Sequence, residues 1–176
     1  MRLLVSILVS VLLLSGCTTP PPQSQLGADG KPLPKLYRIS NAASGKIQFR
    51  ILDSVNALRQ AAGASDVEMS AELNAAAATH SLDMAAQNRP WHFGSDGSSP
   101  IDRVKRAGYG GTALGELISE TYETELETLG AWMDQADTRA ILLDKRATHL
   151  GFAWHQETSG KIWWTLTMGS LGAETE

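Results

Sequence analysis

Four histidines and a run of glutamates are the groups in this 176-residue chain that could do chemistry. His92 stands in a loop between two aromatics, Trp91 and Phe93, just after Pro90. Loop residues held by rigid neighbours are often site residues. Glu116 and Glu120 are four apart, a spacing that places both on one side of a helix or a strand. One imidazole with two carboxylates is a reasonable ligand set for a divalent cation such as Zn²⁺ or Ca²⁺. The same groups serve equally as a His–Glu hydrogen bond that fixes a loop. His149 opens a strand and could approach the same cleft. His80 lies on the inward stripe of a helix and reads as a hydrogen-bonded core residue. His155 reads as solvated. Glu116, Glu120, Glu123, Glu125 and Glu127 together read as a solvated acidic face leading into a helix N-terminus. No H-E-x-x-H, G-x-S-x-G or P-loop is present. The only cysteine is Cys17, so no disulfide can form within one chain.

The elements that must position these groups change period along the chain. Ile47, Ile51, Leu52, Val55 and Leu58 recur at helical spacing up to Gly63. Ser70 caps a second helix with the face Leu73, Ala76, Ala77, His80 and Met84. Ser99-Pro100 opens a short third helix that Gly108 closes, with Ile101 and Val104 inward. Thr124 and Glu127 form the capping box of a fourth, which is expected to bury Leu126, Leu129, Trp132 and Met133. Leu150, Phe152 and Trp154, then Ile162, Trp164, Leu166 and Met168, alternate across a turn at Thr158-Ser159-Gly160, which predicts a β-hairpin. Helices followed by a hairpin make an α+β fold.

Residues 1–16 read as an address. Arg2 precedes the apolar run Leu3–Leu14, too short to span a bilayer. The run ends Leu14-Ser15-Gly16-Cys17, which resembles a lipobox, with cleavage before Cys17 and acylation of its thiol. Residues 17–45 then form a Pro-rich tether, extended and semi-rigid, carrying a domain over residues 46–172. Thr18 after the cysteine resembles an outer-membrane sorting signal, which would place the domain on the periplasmic face if the cell has two membranes. The net charge is −4. From Lys46 onward eleven Lys and Arg face eighteen Asp and Glu, a net of −7 that excludes a nucleic-acid partner.

Residues 47 to about 171 resemble the bacterial branch of the CAP superfamily, the SCP-like extracellular domain. The resemblance is carried by Leu52 to Arg59, Ala77 to Ala85, Asp96 to Pro100, Arg103 to Tyr109, Gly115-Glu116, Ala131-Trp132-Met133, Arg139-Ala140, Leu143, Ala147 to Ala153 and Trp163 to Leu166. It implies an α-β-α sandwich, with a small antiparallel sheet between helical layers. It also implies an extracytoplasmic setting and a cleft of two histidines and two glutamates that can hold a divalent cation. His92 matches the first histidine and Glu116 the first glutamate. The second glutamate falls at Gln135. The second histidine falls near Arg146, three residues from His149. Thr138 stands where many bacterial members have histidine, and Leu117 where asparagine is common. The chain therefore reads as a membrane-anchored, extracytoplasmic lipoprotein whose domain binds an envelope ligand, a lipid or a wall component. Its cleft is expected around His92, Glu116, Trp91, Phe93, His149 and Glu120. The alternatives are a hydrolase using His92 and Glu116, and partner docking through the stretch Glu116–Glu127.

Overall fold

A computed structural model describes residues 37–172. Residues 1–16, Cys17 and the tether as far as residue 36 lie outside the described residues. The elements run α1 (Asn41–Ala61), β1 (Glu68–Met69), α2 (Ala71–Gln87), α3 (Pro100–Arg106), β2 (Thr112–Ser119), α4 (Glu125–Asp134), α5 (Ala136–Leu142), β3 (His149–Gln156) and β4 (Ile162–Ser170). No helix among them is long and apolar enough to cross a membrane.

Helix α1 starts earlier than the apolar period suggests, inside the stretch read as tether. Asn41–Gly45 carries no proline, and Ala43 already packs on the core. At its other end Gly63 takes φ +69°, the left-handed conformation expected of a helix stop. Ser70 caps α2 by accepting from the Leu73 amide. Both Ser99–Asp102 and Thr124–Glu127 close as capping boxes.

The four strands are ordered β1-β3-β4-β2. The β3–β4 hairpin and β2–β4 are antiparallel, whereas β1 runs parallel to β3 through Glu68 and Met69. The sheet is therefore mixed rather than antiparallel throughout. A single extended step between α1 and α2 supplies the parallel edge, too short to show as a period in sequence. Edge strand β2 is equally silent, because its fully buried positions, Glu116 and Leu117, are adjacent rather than alternating.

Helices α2 and α3 cover one face of the sheet, where Leu73, Ala76, Val104 and Tyr109 cluster. On the other face α1, α4 and α5 enclose Ile47, Ile51, Val55, Leu129, Trp132 and Leu142. Phe152 stacks on Trp164 at 5.5 Å within that core. Gly151 lets α2 come close: a Cβ there would sit 2.1 Å from the Leu73 carbonyl carbon. Asn74 then accepts from the Phe152 amide at 2.6 Å. These contacts fix α2, and with it His80, against the sheet.

Three side chains expected from the sequence to face one way face the other. The buried side of α4 is Glu125, Thr128, Leu129 and Trp132. Leu126 lies about 100° round the helix from Glu125 and is exposed. In α3 the inward residues are Arg103 and Val104, and Ile101 in the first turn is 53% exposed. Glu125 is buried, not solvated, because Arg50 on α1 reaches it as an ion pair.

Candidate functional site

Glu116 is the hub. Strand register sets it opposite Thr167 on β4, with its side chain under α3. Both carboxylate oxygens accept from Arg103 Nη2, at 2.9 Å for Oε1 and 2.7 Å for Oε2. The two side chains are only 3–4% exposed. The capping box that starts α3 at Ser99 places Arg103 one turn later, aimed at this carboxylate. Arg103 also donates to the carbonyls of Ser98 and His92. One guanidinium thus holds the acid and the loop that carries the imidazole.

That loop leaves α2 at Asn88, whose φ of +49° turns the chain. Asp83 on α2 accepts from the Ser95 amide and hydroxyl, and Gln87 donates to the Phe93 carbonyl. The hydrogen bonds from Ser95 help hold the Asp83 carboxyl below its usual range, against the opposing effect of burial. Pinned at both ends, the loop sets His92 Nδ1 at 2.9 Å from Glu116 Oε1. A carboxylate can only accept, so Nδ1 carries the proton. In the uncharged ring Nε2 then keeps its lone pair. The His92 side chain is half exposed.

A second histidine stands behind the first. His80 Nε2 lies 3.5 Å from the same Oε1, and its side chain is fully buried. Neither ring nitrogen makes a hydrogen bond. Burial lowers the His80 pKa below its usual value, over the opposing pull of Glu116. The inward stripe of α2 points to a buried His80. Its proximity to Glu116 is not legible in the sequence, because that acid arrives from a strand 36 residues later. Arg103 is missed too: it stands in a stretch that carries the resemblance, but a seven-residue helix is too short to show the period that would turn it inward.

The other candidates separate. His149 does not join His92. It lines a different cavity with Ser70, Glu72, Tyr109 and Leu171, and its Nδ1 lies 2.8 Å from the Thr148 hydroxyl. Glu120 falls just past the end of β2 and pairs with Lys161. It lines a third cavity with Tyr122, Trp132, Gln135 and Thr138. A single acidic face over Glu116–Glu127 does not form, since Glu116 and Glu125 are buried in ion pairs.

His92 and Glu116 do not fit a divalent cation. A guanidinium already engages both oxygens of Glu116, and a second cation beside it would be repelled. Among the described residues no three His, Cys, Asp or Glu are disposed to hold a metal. What His92 and Glu116 do share is a cavity of about 230 Å³ lined also by Ser99, Pro100, Ile101, Ala113, Leu114 and Thr167. Its walls are mainly apolar. The Ser99 hydroxyl is engaged with Asp102 in the capping box.

Comparisons with known proteins bear on the fold and the family. Residues 52–168 match the model of the cysteine-rich secretory protein family, CAP. The uncharacterized protein YkwD of Bacillus subtilis is 30% identical over 114 residues, 65% of this chain and 44% of that protein. The chain thus spans less than half of the curated relative it matches. An outer surface protein of Borrelia burgdorferi shares the fold with a TM-score of 0.67 at 14% identity, over 78% of this chain and all of that one. An extracellular SCP-domain protein of Bacillus anthracis does so with a TM-score of 0.67 at 21% identity, over 77% of this chain and 45% of that one. Fold, span and motif order converge: the chain belongs to the CAP family.

Proposed function

We propose that the protein is an extracytoplasmic lipoprotein, anchored through Cys17, whose domain binds an apolar envelope ligand without catalysis. The observation that carries the reading is the half-exposed His92 beside a cavity walled by Pro100, Ile101, Ala113 and Leu114. Pockets that take small molecules are mostly apolar with a few fixed polar groups. Here the fixed group is His92 Nε2, oriented through Glu116 and Arg103 to receive one donor from the ligand. At about 230 Å³ the cavity takes part of a molecule, such as a segment of acyl chain or one face of a glycan ring. The relatives described as outer-surface and extracellular support the location. Against the hydrolase alternative, the cavity's serine, Ser99, has its hydroxyl committed to capping α3.

The test is binding of the mature chain to extracted envelope lipids and to wall fragments, with His92→Ala and Ile101→Asp beside the wild type. Saturable binding to one of these, weakened tenfold or more by both substitutions, is expected. Binding that neither change affects would overturn the reading.

A further inference from the structure

The loop that carries His92 also presents its neighbours outward. Trp91 is 41% exposed and Phe93 46%, with ring centroids 5.7 Å apart. The Arg89 guanidinium lies 4.0 Å from the centre of the Trp91 ring. The surface strip of α2 leading to this loop, Ala75, Ala78, Leu82 and Ala86, is exposed and uncharged. Paired aromatics with an adjacent arginine are the groups that favour the headgroup layer of a bilayer, where rings sit at the interface and the cation stays wet.

What covers this loop is indicated by where the chain enters the domain. Arg38 donates to the Glu157 and Thr158 carbonyls. The Gln156 side chain joins the Tyr37 carbonyl, the Ile39 amide and the Gly160 carbonyl. The entry point is thereby sewn to the β3–β4 turn. From that turn Lys161 reaches the Asn88 side chain at 3.4 Å, and Asn88 is the residue before Arg89. Entry point and aromatic loop therefore share one end of the domain. Residues 18–36, nineteen in all, would reach about 60 Å as a Pro-rich linker at roughly 3.1 Å per residue. Such a leash keeps the loop at high effective concentration near any bilayer holding Cys17.

We propose that the Arg89–Phe93 loop docks into the headgroup layer of the bilayer that carries the anchor, so that the domain lies with this end against the membrane. The proposal rests on the anchoring through Cys17 stated above, not on ligand binding at His92. Docking of the loop would set the His92 cavity close to the lipid surface.

The experiment uses the full mature, acylated chain in vesicles of phosphatidylethanolamine and phosphatidylglycerol, with and without brominated phospholipid that quenches tryptophan near the headgroup border. Trp132, Trp163 and Trp164 are buried and Trp154 packs against the core, so Trp91 is the exposed reporter. The expected result is quenching in brominated vesicles that Trp91→Phe removes and Arg89→Ala with Phe93→Ala reduces at least twofold. Mass spectrometry confirms the acyl groups on Cys17. An acylated chain that is not quenched, or equally quenched without Trp91, overturns docking and leaves anchoring intact. A chain that never acquires acyl groups overturns both. Cross-linking of Trp91 loops between two copies, in place of quenching, assigns the surface to self-association and also overturns the proposal.

Discussion

Two arginines are buried in this domain, and they solve the same problem differently. Arg59 on α1 is wholly inaccessible and donates to the carbonyls of Ser65, Leu142, Asp144 and Ala147. Burial lowers its pKa, and Asp144 and Asp66 oppose that only from a distance. Its charge is spread over backbone dipoles, and it ties α1 to the segments that lead into β1 and β3. Arg103 spends the same donors on a carboxylate and on the carbonyls of the His92 loop. The first guanidinium closes the scaffold. The second transmits α3's position to a half-exposed imidazole. A buried cation bonded only to main chain is architecture; one bonded to an acid that in turn holds an exposed base is part of a site.

Substitution should break this contrast in a graded way. Arg59→Met orphans several buried carbonyls, each costing about 1–3 kcal/mol. Against a total stability of about 5–15 kcal/mol, the variant is expected to unfold near ambient temperature, seen as loss of the cooperative transition in circular dichroism. Arg103→Met leaves Glu116 buried and uncompensated, for a loss of about 3–5 kcal/mol. Adding Glu116→Gln should recover part of that, read as a double-mutant coupling in urea unfolding. No such recovery is available at Arg59, because no carboxylate accepts from it.

His80 sharpens the comparison through pH. Its folded pKa is lowered by burial, so below the unfolded value of about 6.5 the unfolded chain binds a proton that the fold does not. Stability therefore falls as pH drops from about 6.5. In His80→Asn the slope of unfolding free energy against pH between about 6.5 and 5 should be shallower than in the wild type. The smallest structural effect belongs to His92→Ala, where a half-exposed side chain with one hydrogen bond is lost. A change of about 1 kcal/mol in stability is expected, with the loss of ligand binding far exceeding it.

The layers of the fold are largely readable because helix caps and alternation are local signals. Ser70, Ser99-Pro100 and Thr124-Glu127 announce three helix starts, and capping bonds are present at each. The hairpin follows from period two. What escapes are features fixed by tertiary geometry. The parallel edge β1 is two residues long. Glu125 is buried only because Arg50 arrives from another helix. The pair His92 and Glu116 is legible as types in a resembling pattern, and the structure brings them within 2.9 Å. Arg103 and His80 complete the cluster from α3 and α2, which nothing in their spacing reveals. His149 and Glu120 share the right chemistry and belong to other cavities.

Arg103, rather than a metal, balances Glu116 and so holds His92. Thermal unfolding of the wild type and of Glu116→Gln in EDTA, millimolar Zn²⁺ and millimolar Ca²⁺ tests it most directly. A ligand at a hundred times its Kd adds about 2.7 kcal/mol to the native state, which a melting curve registers readily. Neither ion is expected to raise the wild-type melting temperature above its EDTA value. A rise with either ion that Glu116→Gln abolishes would contradict it.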